Sequence, residues 1–219
     1  MKNIFFLIVL FLIFSCKKEN KSKLIAPKII QDSSVISKNK EVKLTDEEIL
    51  KIQQEEEKER SQIVRRYTLS KKGNGFEYNV FCEEQKDGMI YFTKVDVLRS
   101  GKLFQQLEIN KDSTFVYHDY EVDFSCEDDW NFDGYNDFTL INWVGMVDQS
   151  YYLWLYDKKS RKYKFSPSFS KIINPVADKK NKEITSSYHS GPVTYYYSVY
   201  QFKKGKYVQT YSDIKGEGD

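Results

Sequence analysis

Between Phe76 and Cys82 the chain alternates: Phe76, Tyr78, Val80 and Cys82 fall on one side of an extended ribbon, and Glu77, Asn79 and Phe81 on the other. A period of two predicts a β-strand. The turn signal Lys86-Asp87-Gly88 leads to a second run, Met89 to Leu98. Ser100-Gly101-Lys102 leads to Leu103 to Ile109, and Lys111-Asp112-Ser113 to Thr114 to Tyr120. Further on, Tyr151 to Tyr156 and Tyr163 to Phe165 flank Asp157 to Lys162, while Thr194 to Phe202 and Tyr207 to Tyr211 flank Lys203-Lys204-Gly205-Lys206. Both segments read as hairpins. About ten short strands with no helical pattern between them predict an all-β domain over residues 66–213, either an antiparallel two-sheet sandwich or a small irregular propeller, with a short tail at 214–219.

Upstream the period changes. Leu44-Thr45-Asp46-Glu47-Glu48-Ile49 carries a capping box, with Thr45 as N-cap and Glu48 at N3, and Leu44 and Ile49 at the staple positions. A helix is expected over 44–65. Its middle, Gln53 to Arg60, has no apolar face and no sustained heptad, so it reads as a solvated stalk rather than a coiled coil. The stretch 16–43, rich in Lys, Ser and Asn, reads as a flexible tether.

The first fifteen residues have a different character. Lys2 precedes the apolar run Ile4 to Phe14, which is too short to span a bilayer and fits the hydrophobic region of a secretory signal over 1–15. Ser15-Cys16 follows at once, and the segment Ile13-Phe14-Ser15-Cys16 resembles a bacterial lipoprotein signal. On that reading Cys16 is the lipidated first residue of the mature chain. The protein is then held to a membrane by its lipid and faces the periplasm or the cell surface.

Composition narrows the function classes. The 219 residues hold 34 Lys plus Arg and 32 Asp plus Glu, a net charge of +2, which argues against a nucleic-acid partner. The length allows one core with tails. In an oxidising compartment the two remaining cysteines, Cys82 and Cys126, are expected to form a disulfide.

One segment carries chemistry. Asp129-Trp130-Asn131-Phe132-Asp133-Gly134-Tyr135-Asn136-Asp137 places oxygen-bearing side chains at loop positions 1, 3, 5 and 9, with Gly at 6. That is calcium-loop spacing: a hard cation takes six to eight oxygens, so a tight loop turns alternate carboxylates inward around a glycine. Asp129, Asn131, Asp133 and Asp137 are the candidate side-chain ligands, and Tyr135 is expected to add its carbonyl. Position 12 is Leu140, which excludes a standard EF-hand. Trp130, Phe132 and Phe138 are placed to pack the loop on the core, so the expected role of calcium is structural. The competing reading is an Asx-rich turn without an ion.

No enzyme signature is present. His118 and His189 are far apart, and there is no HExxH, GxSxG, P-loop or dinucleotide-binding glycine pattern. The segment Ser186 to Thr194 is rich in hydroxyl and imidazole groups and holds no acidic residue. Such a loop can donate hydrogen bonds to the acidic pair of a muramidase cleft, although Ser, Gly and Pro also build ordinary turns.

Taken in order, the Asp129 to Asp137 motif, the aromatic hairpin after it and Ser190-Gly191 before the Tyr195-Tyr196-Tyr197 strand resemble a family of calcium-binding envelope lipoproteins. Members of that family act as immunity proteins against peptidoglycan-hydrolase toxins delivered by bacterial type IV secretion systems, and are similar to periplasmic inhibitors of invertebrate-type lysozymes. The resemblance covers roughly Asp123 to Gln209. It implies calcium held by the 129–137 loop, an inhibitory loop at Tyr188, Ser190, Gly191 and Tyr195, and a peptidoglycan hydrolase as partner. The alternative is an envelope binding or scaffold lipoprotein that inhibits nothing.

Overall fold

The computed structural model describes residues 44–110, 114 and 116–216. The expected signal peptide, the lipidation site Cys16 and the tether lie outside these residues. Helix α1 (Asp46–Arg60) begins where the capping box places it: Glu48 N–H donates to Thr45 Oγ1 at 3.3 Å, and Thr45 N–H donates to Glu48 Oε2 at 2.8 Å. No residue of α1 is buried, as a helix without an apolar face requires. The Glu59 to Lys86 ion pair and the Lys86 amide on the Gln62 carbonyl hold its end to the sheet that follows. Among the described residues no helix is long and apolar enough to cross a membrane.

The rest is β. Strands β1 (Ile63–Gly73), β2 (Phe76–Gln85), β3 (Ile90–Arg99) and β4 (Lys102–Glu108) form one antiparallel meander. Strands β5 (Phe124–Ser125), β6 (Phe138–Val144), β7 (Gln149–Asp157) and β8 (Lys162–Phe165) form a second. Strands β9 (Pro175–Asp178), β10 (Glu183–Ser190), β11 (Thr194–Lys203) and β12 (Lys206–Lys215) form a third. All-β architecture after a polar helix is therefore as expected. The number of sheets is three rather than two, so the repeated meander is nearer to the propeller alternative than to the sandwich. The sheet also starts at Ile63, ahead of the expected boundary at 66.

Burial explains the two kinds of strand pattern. In β2, Tyr78, Val80 and Cys82 are buried while their neighbours are half-exposed, because only one face meets the core. In β6 every residue from Phe138 to Asn142 is buried, and in β7 Tyr152, Leu153 and Trp154 are buried in succession. The second sheet is covered on both faces. Phe138, Leu140, Tyr152 and Trp154 join the cluster with Tyr78, Val80 and Phe92 of the first sheet. Leu153 joins Phe169, Ile172, Ile184 and Tyr207. The unbroken apolar run Tyr151 to Tyr156 is the sequence trace of a middle layer.

Two expectations are corrected. Among the described residues of the expected strand Thr114 to Tyr120 there is no strand: Val116 makes one isolated bridge to Ile90, and Asp119–Glu121 forms a single 3-10 turn. Glu121 Oε2 accepts the Tyr117 and His118 amides at 3.0 and 3.2 Å, which competes with ladder formation. Nor do Cys82 and Cys126 form a disulfide; both are free and buried. Cys82 lies opposite Tyr67 in the β1/β2 register, whereas Cys126 packs on Gly73 at the other end of the same pair. The stretch Tyr67 to Gly73 spans about 20 Å of extended chain, and a disulfide needs Cα atoms within about 7 Å.

Candidate functional site

The loop between β5 and β6 is built from its own side chains. Asp133 N–H donates to Asp129 Oδ1 at 3.0 Å and to Asn131 Oδ1 at 3.2 Å, and Gly134 N–H donates to Asp129 Oδ2 at 2.8 Å. Tyr135 N–H donates to Asp133 Oδ1 at 3.0 Å, and Asn131 Nδ2 to Asp133 Oδ2 at 3.0 Å. The oxygens of positions 1, 3 and 5 thus turn into one tight coil. Gly134 has φ +91 and Phe132 has φ +61, both in the left-handed region, which for a phenylalanine is strained.

Position 9 is different. Asp137 is only 1% exposed, and its two carboxylate oxygens accept the Trp130 and Tyr156 amides at 2.8 and 2.9 Å. It staples the two ends of the loop to β7. Burial pushes its carboxyl up to about 7 despite those two donors, and Asp133 and Asp129 add like-charge repulsion. Burial also raises the Tyr207 phenol, with the same three carboxylates contributing, and the Tyr207 hydroxyl has no hydrogen-bond partner among the described residues. None of Asp129, Asp133 and Asp137 has a cationic side chain paired with it among the described residues. At the same time, no three His, Cys, Asp or Glu side chains among those residues stand close enough together to hold a metal by themselves. Asp129 and Asp133 therefore need Asn131 and main-chain oxygen beside them to make a cation site, and Asp137 serves mainly as a brace.

The loop sits where all three sheets converge. Asn74, in the β1–β2 turn, donates to the Cys126 carbonyl and accepts from Asn136 Nδ2 at 3.0 Å. Tyr156 belongs to the second sheet. Trp130 packs edge-on against Phe169 at 4.9 Å, and with Phe132 lies on the cluster that serves the third sheet. The expected packing of Trp130, Phe132 and Phe138 onto the core is found. Asn74 was not visible as a site residue in the sequence, where Asn74-Gly75 reads only as a turn.

The second candidate, Ser186 to Thr194, is a hairpin tip rather than an irregular loop. Tyr188 and Ser190 lie on β10, Tyr195 on β11, and the pair Ser190 and Thr194 closes the turn over Gly191, whose φ is +71. Tyr188 stacks on Tyr196 with centroids 4.9 Å apart and planes 7° from parallel, which stiffens the base. His189 Nδ1 is 3.0 Å from the Gly191 carbonyl. His189 to Val193 are exposed, and Tyr195 is 55% exposed.

A neighbouring turn extends this surface. Between β6 and β7 the segment Gly145 to Asp148 leaves Met146 wholly exposed and Val147 largely so. Asn174 ties the two turns together: its Oδ1 accepts the Gln149 amide, while its Nδ2 reaches Asp148 Oδ1 at 2.8 Å and the Ser187 carbonyl at 3.0 Å. The sequence signal for Met146 and Val147 was an apolar pair inside a Gly/Asp turn, where burial has no place to put it.

No protein family and no curated protein matches the sequence. A solved structure of a Xanthomonas type IV secretion system related protein resembles the chain with a TM-score of 0.49 and 19% identity, over 73% of this chain and 87% of that one.

Proposed function

We propose that this protein is a lipid-anchored, non-enzymatic envelope protein that binds and inhibits a peptidoglycan hydrolase through the β10–β11 hairpin, with calcium steadying the 129–137 loop. The observation that carries the reading is the exposed hairpin tip. Its base is stiffened by the Tyr188 to Tyr196 stack, its end from His189 to Thr194 bears two hydroxyls and one imidazole, and it holds no acidic side chain. A pair of catalytic carboxylates in a hydrolase cleft is an acceptor array, and a two-stranded tip of donors is narrow enough to enter it. Met146 and Val147 add an apolar contact beside it, the combination of anchor and polar contacts that interfaces use.

The calcium part rests on Asp129 and Asp133, two carboxylates turned into one coil without a cationic partner among the described residues. A divalent ion would be held by Asp129, Asn131 and Asp133 with main-chain oxygen such as the Tyr135 carbonyl, and would offset their mutual repulsion. Its work would be to fix the junction of the three sheets.

The variant that tests the hairpin is Ser190→Glu with Tyr195→Ala. Gly191 is left in place because its positive φ would strain any replacement. Binding to an inhibited hydrolase should fall at least tenfold with the melting temperature unchanged; unaltered binding would refute the hairpin assignment.

A further inference from the structure

Where the β1–β2 turn meets the 129–137 loop, a cleft of about 460 Å³ opens, and no residue of the β10–β11 hairpin lines it. Small-molecule sites run from about 300 to 1,000 Å³ and combine ring or aliphatic walls with a few placed polar groups. The aromatic wall here is one connected cluster. Tyr156 and Tyr163 stand opposite each other on β7 and β8 with centroids 5.2 Å apart, and Phe76, at the start of β2, lies 6.1 Å from both. Tyr135 joins from the loop, 6.0 Å from Tyr156. All four rings line the cleft, Tyr163 as a buried floor and the other three half-buried at its sides.

The polar part of the wall offers groups that the fold leaves free. Asn74 is engaged at both ends, donating to the Cys126 carbonyl and accepting from Asn136 Nδ2. That bond fixes the Asn136 carboxamide, whose Oδ1 accepts from no described residue. Arg99 is exposed at the rim with its guanidinium carbon 5.9 Å from the Phe76 centroid, and it forms no ion pair among the described residues. Neither a carboxylate nor a second cationic side chain lines the cleft among those residues. Gly75 and Gly134 complete the rim, and a Cβ at either would meet nothing within 4 Å, so the mouth is open.

Such a wall suits a ligand that carries C–H faces and hydroxyls together. A wholly apolar ligand would desolvate the Asn136 oxygen and the guanidinium edge without giving either a partner. An anion would find a single exposed cation, and ion pairs at exposed positions contribute little. A sugar ring meets every part: its C–H groups lie on ring carbon, adjacent hydroxyls accept from the planar guanidinium fork, and a further hydroxyl donates to Asn136 Oδ1. We infer that this cleft binds a saccharide, its ring against Tyr135 and Tyr156 and its hydroxyls on Arg99 and Asn136. The inference uses no hairpin residue and does not depend on the hydrolase reading.

The test is ligand-observed saturation-transfer NMR on the full chain in calcium-containing buffer, with a detergent that has no sugar headgroup. The probes are chitotriose, maltotriose and, as a ring-bearing anion without hydroxyls, 3-phenylpropionate. At least one trisaccharide should bind saturably with Kd of about 5 mM or tighter, and more tightly than 3-phenylpropionate. The affinity should weaken at least fivefold in Arg99→Gln, an exposed position, and in Tyr156→Leu, each checked for an unchanged melting temperature. Tighter binding of chitotriose would identify acetamido sugars as the preferred class, and tighter binding of maltotriose unsubstituted glucans. Neither trisaccharide binding up to about 10 mM, 3-phenylpropionate binding as tightly as the better trisaccharide, or indifference to Arg99→Gln would each overturn the inference.

Discussion

Gly73→Ala should destabilise the fold through a single sulfur atom. A Cβ built at Gly73 lies 2.4 Å from Cys126 Sγ, 3.7 Å from Cys126 Cβ and 3.9 Å from its carbonyl oxygen. Carbon contacts are comfortable at about 3.5 to 4.0 Å, so the sulfur must move by at least about 1 Å. It has little freedom to do so: Cys126 is fully buried in the main core, and Asn74 holds its carbonyl. Overpacking of this kind costs about 1–3 kcal/mol, while replacing a strand glycine whose φ is ordinary returns about 0.5–1 kcal/mol. The expected net loss is about 1–2 kcal/mol, a fall of about 3 to 6 °C in melting temperature for a domain of this size. Cys126→Ala alone should cost a similar amount through the cavity it leaves. In the double variant the new methyl occupies the space of the lost sulfur, so the two losses should not add; the coupling should favour the pair by at least about 1 kcal/mol. Urea unfolding of residues 44–219, followed by tryptophan fluorescence, measures all four corners of the cycle. Additive losses, or a Gly73→Ala protein as stable as the parent, would refute the packing of the 126–137 loop on the β1–β2 turn.

Other expectations follow from the same contacts. Residues 44–219 should show two reactive thiols in denaturant and essentially none when folded, since burial pushes the Cys82 thiol up to about 12; a mass lower by two hydrogens would restore the disulfide. The phenols of Tyr67, Tyr78 and Tyr151 are pushed up to about 12 by burial, against about 10 in an unfolded chain. Their contribution is then complete below pH 10 and is lost as pH rises through 12, so alkaline unfolding should accompany tyrosine ionisation at 295 nm; ionisation near pH 10 with the fold intact would contradict their burial. Tyr163→Phe removes one side of the buried Tyr78 to Tyr163 hydroxyl pair at 2.6 Å and should cost about 1–2 kcal/mol by urea titration, with no change indicating that water replaces the partner. Asp133→Ala should abolish any rise in melting temperature produced by millimolar calcium; a parent protein with identical melting curves in calcium and in chelator would remove the calcium proposal.

How much was legible in the sequence depended on how local the signal was. The capping box at Thr45 and Glu48, the alternation in β2 and the hairpins of β7–β8 and β11–β12 are short-range patterns, and each is found where it was expected. The inward turn of Asp129, Asn131 and Asp133 was likewise written in a spacing of two around Gly134. The missing parts are long-range. That Cys126 meets Gly73 rather than Cys82 depends on how the β5–β6 loop lies on the first sheet, which no local period records. Asp137 looked like a fourth ligand because its residue type and position fit; its two backbone donors come from Trp130 and from Tyr156, the second a full hairpin away. Met146 and Val147 gain their meaning only through Asn174, which brings their turn beside β10.

The central claim is inhibition, and a lysis assay tests it most directly. Residues 44–219, which retain all of β1, are titrated in calcium-containing buffer into muramidases and other peptidoglycan hydrolases acting on cell-wall suspensions. The account predicts saturable, stoichiometric loss of lysis by at least one of these enzymes, and its recovery with the Ser190→Glu/Tyr195→Ala variant. Undiminished lysis across the panel, with the protein folded and calcium present, would contradict it and favour the alternative reading of a binding protein that inhibits nothing.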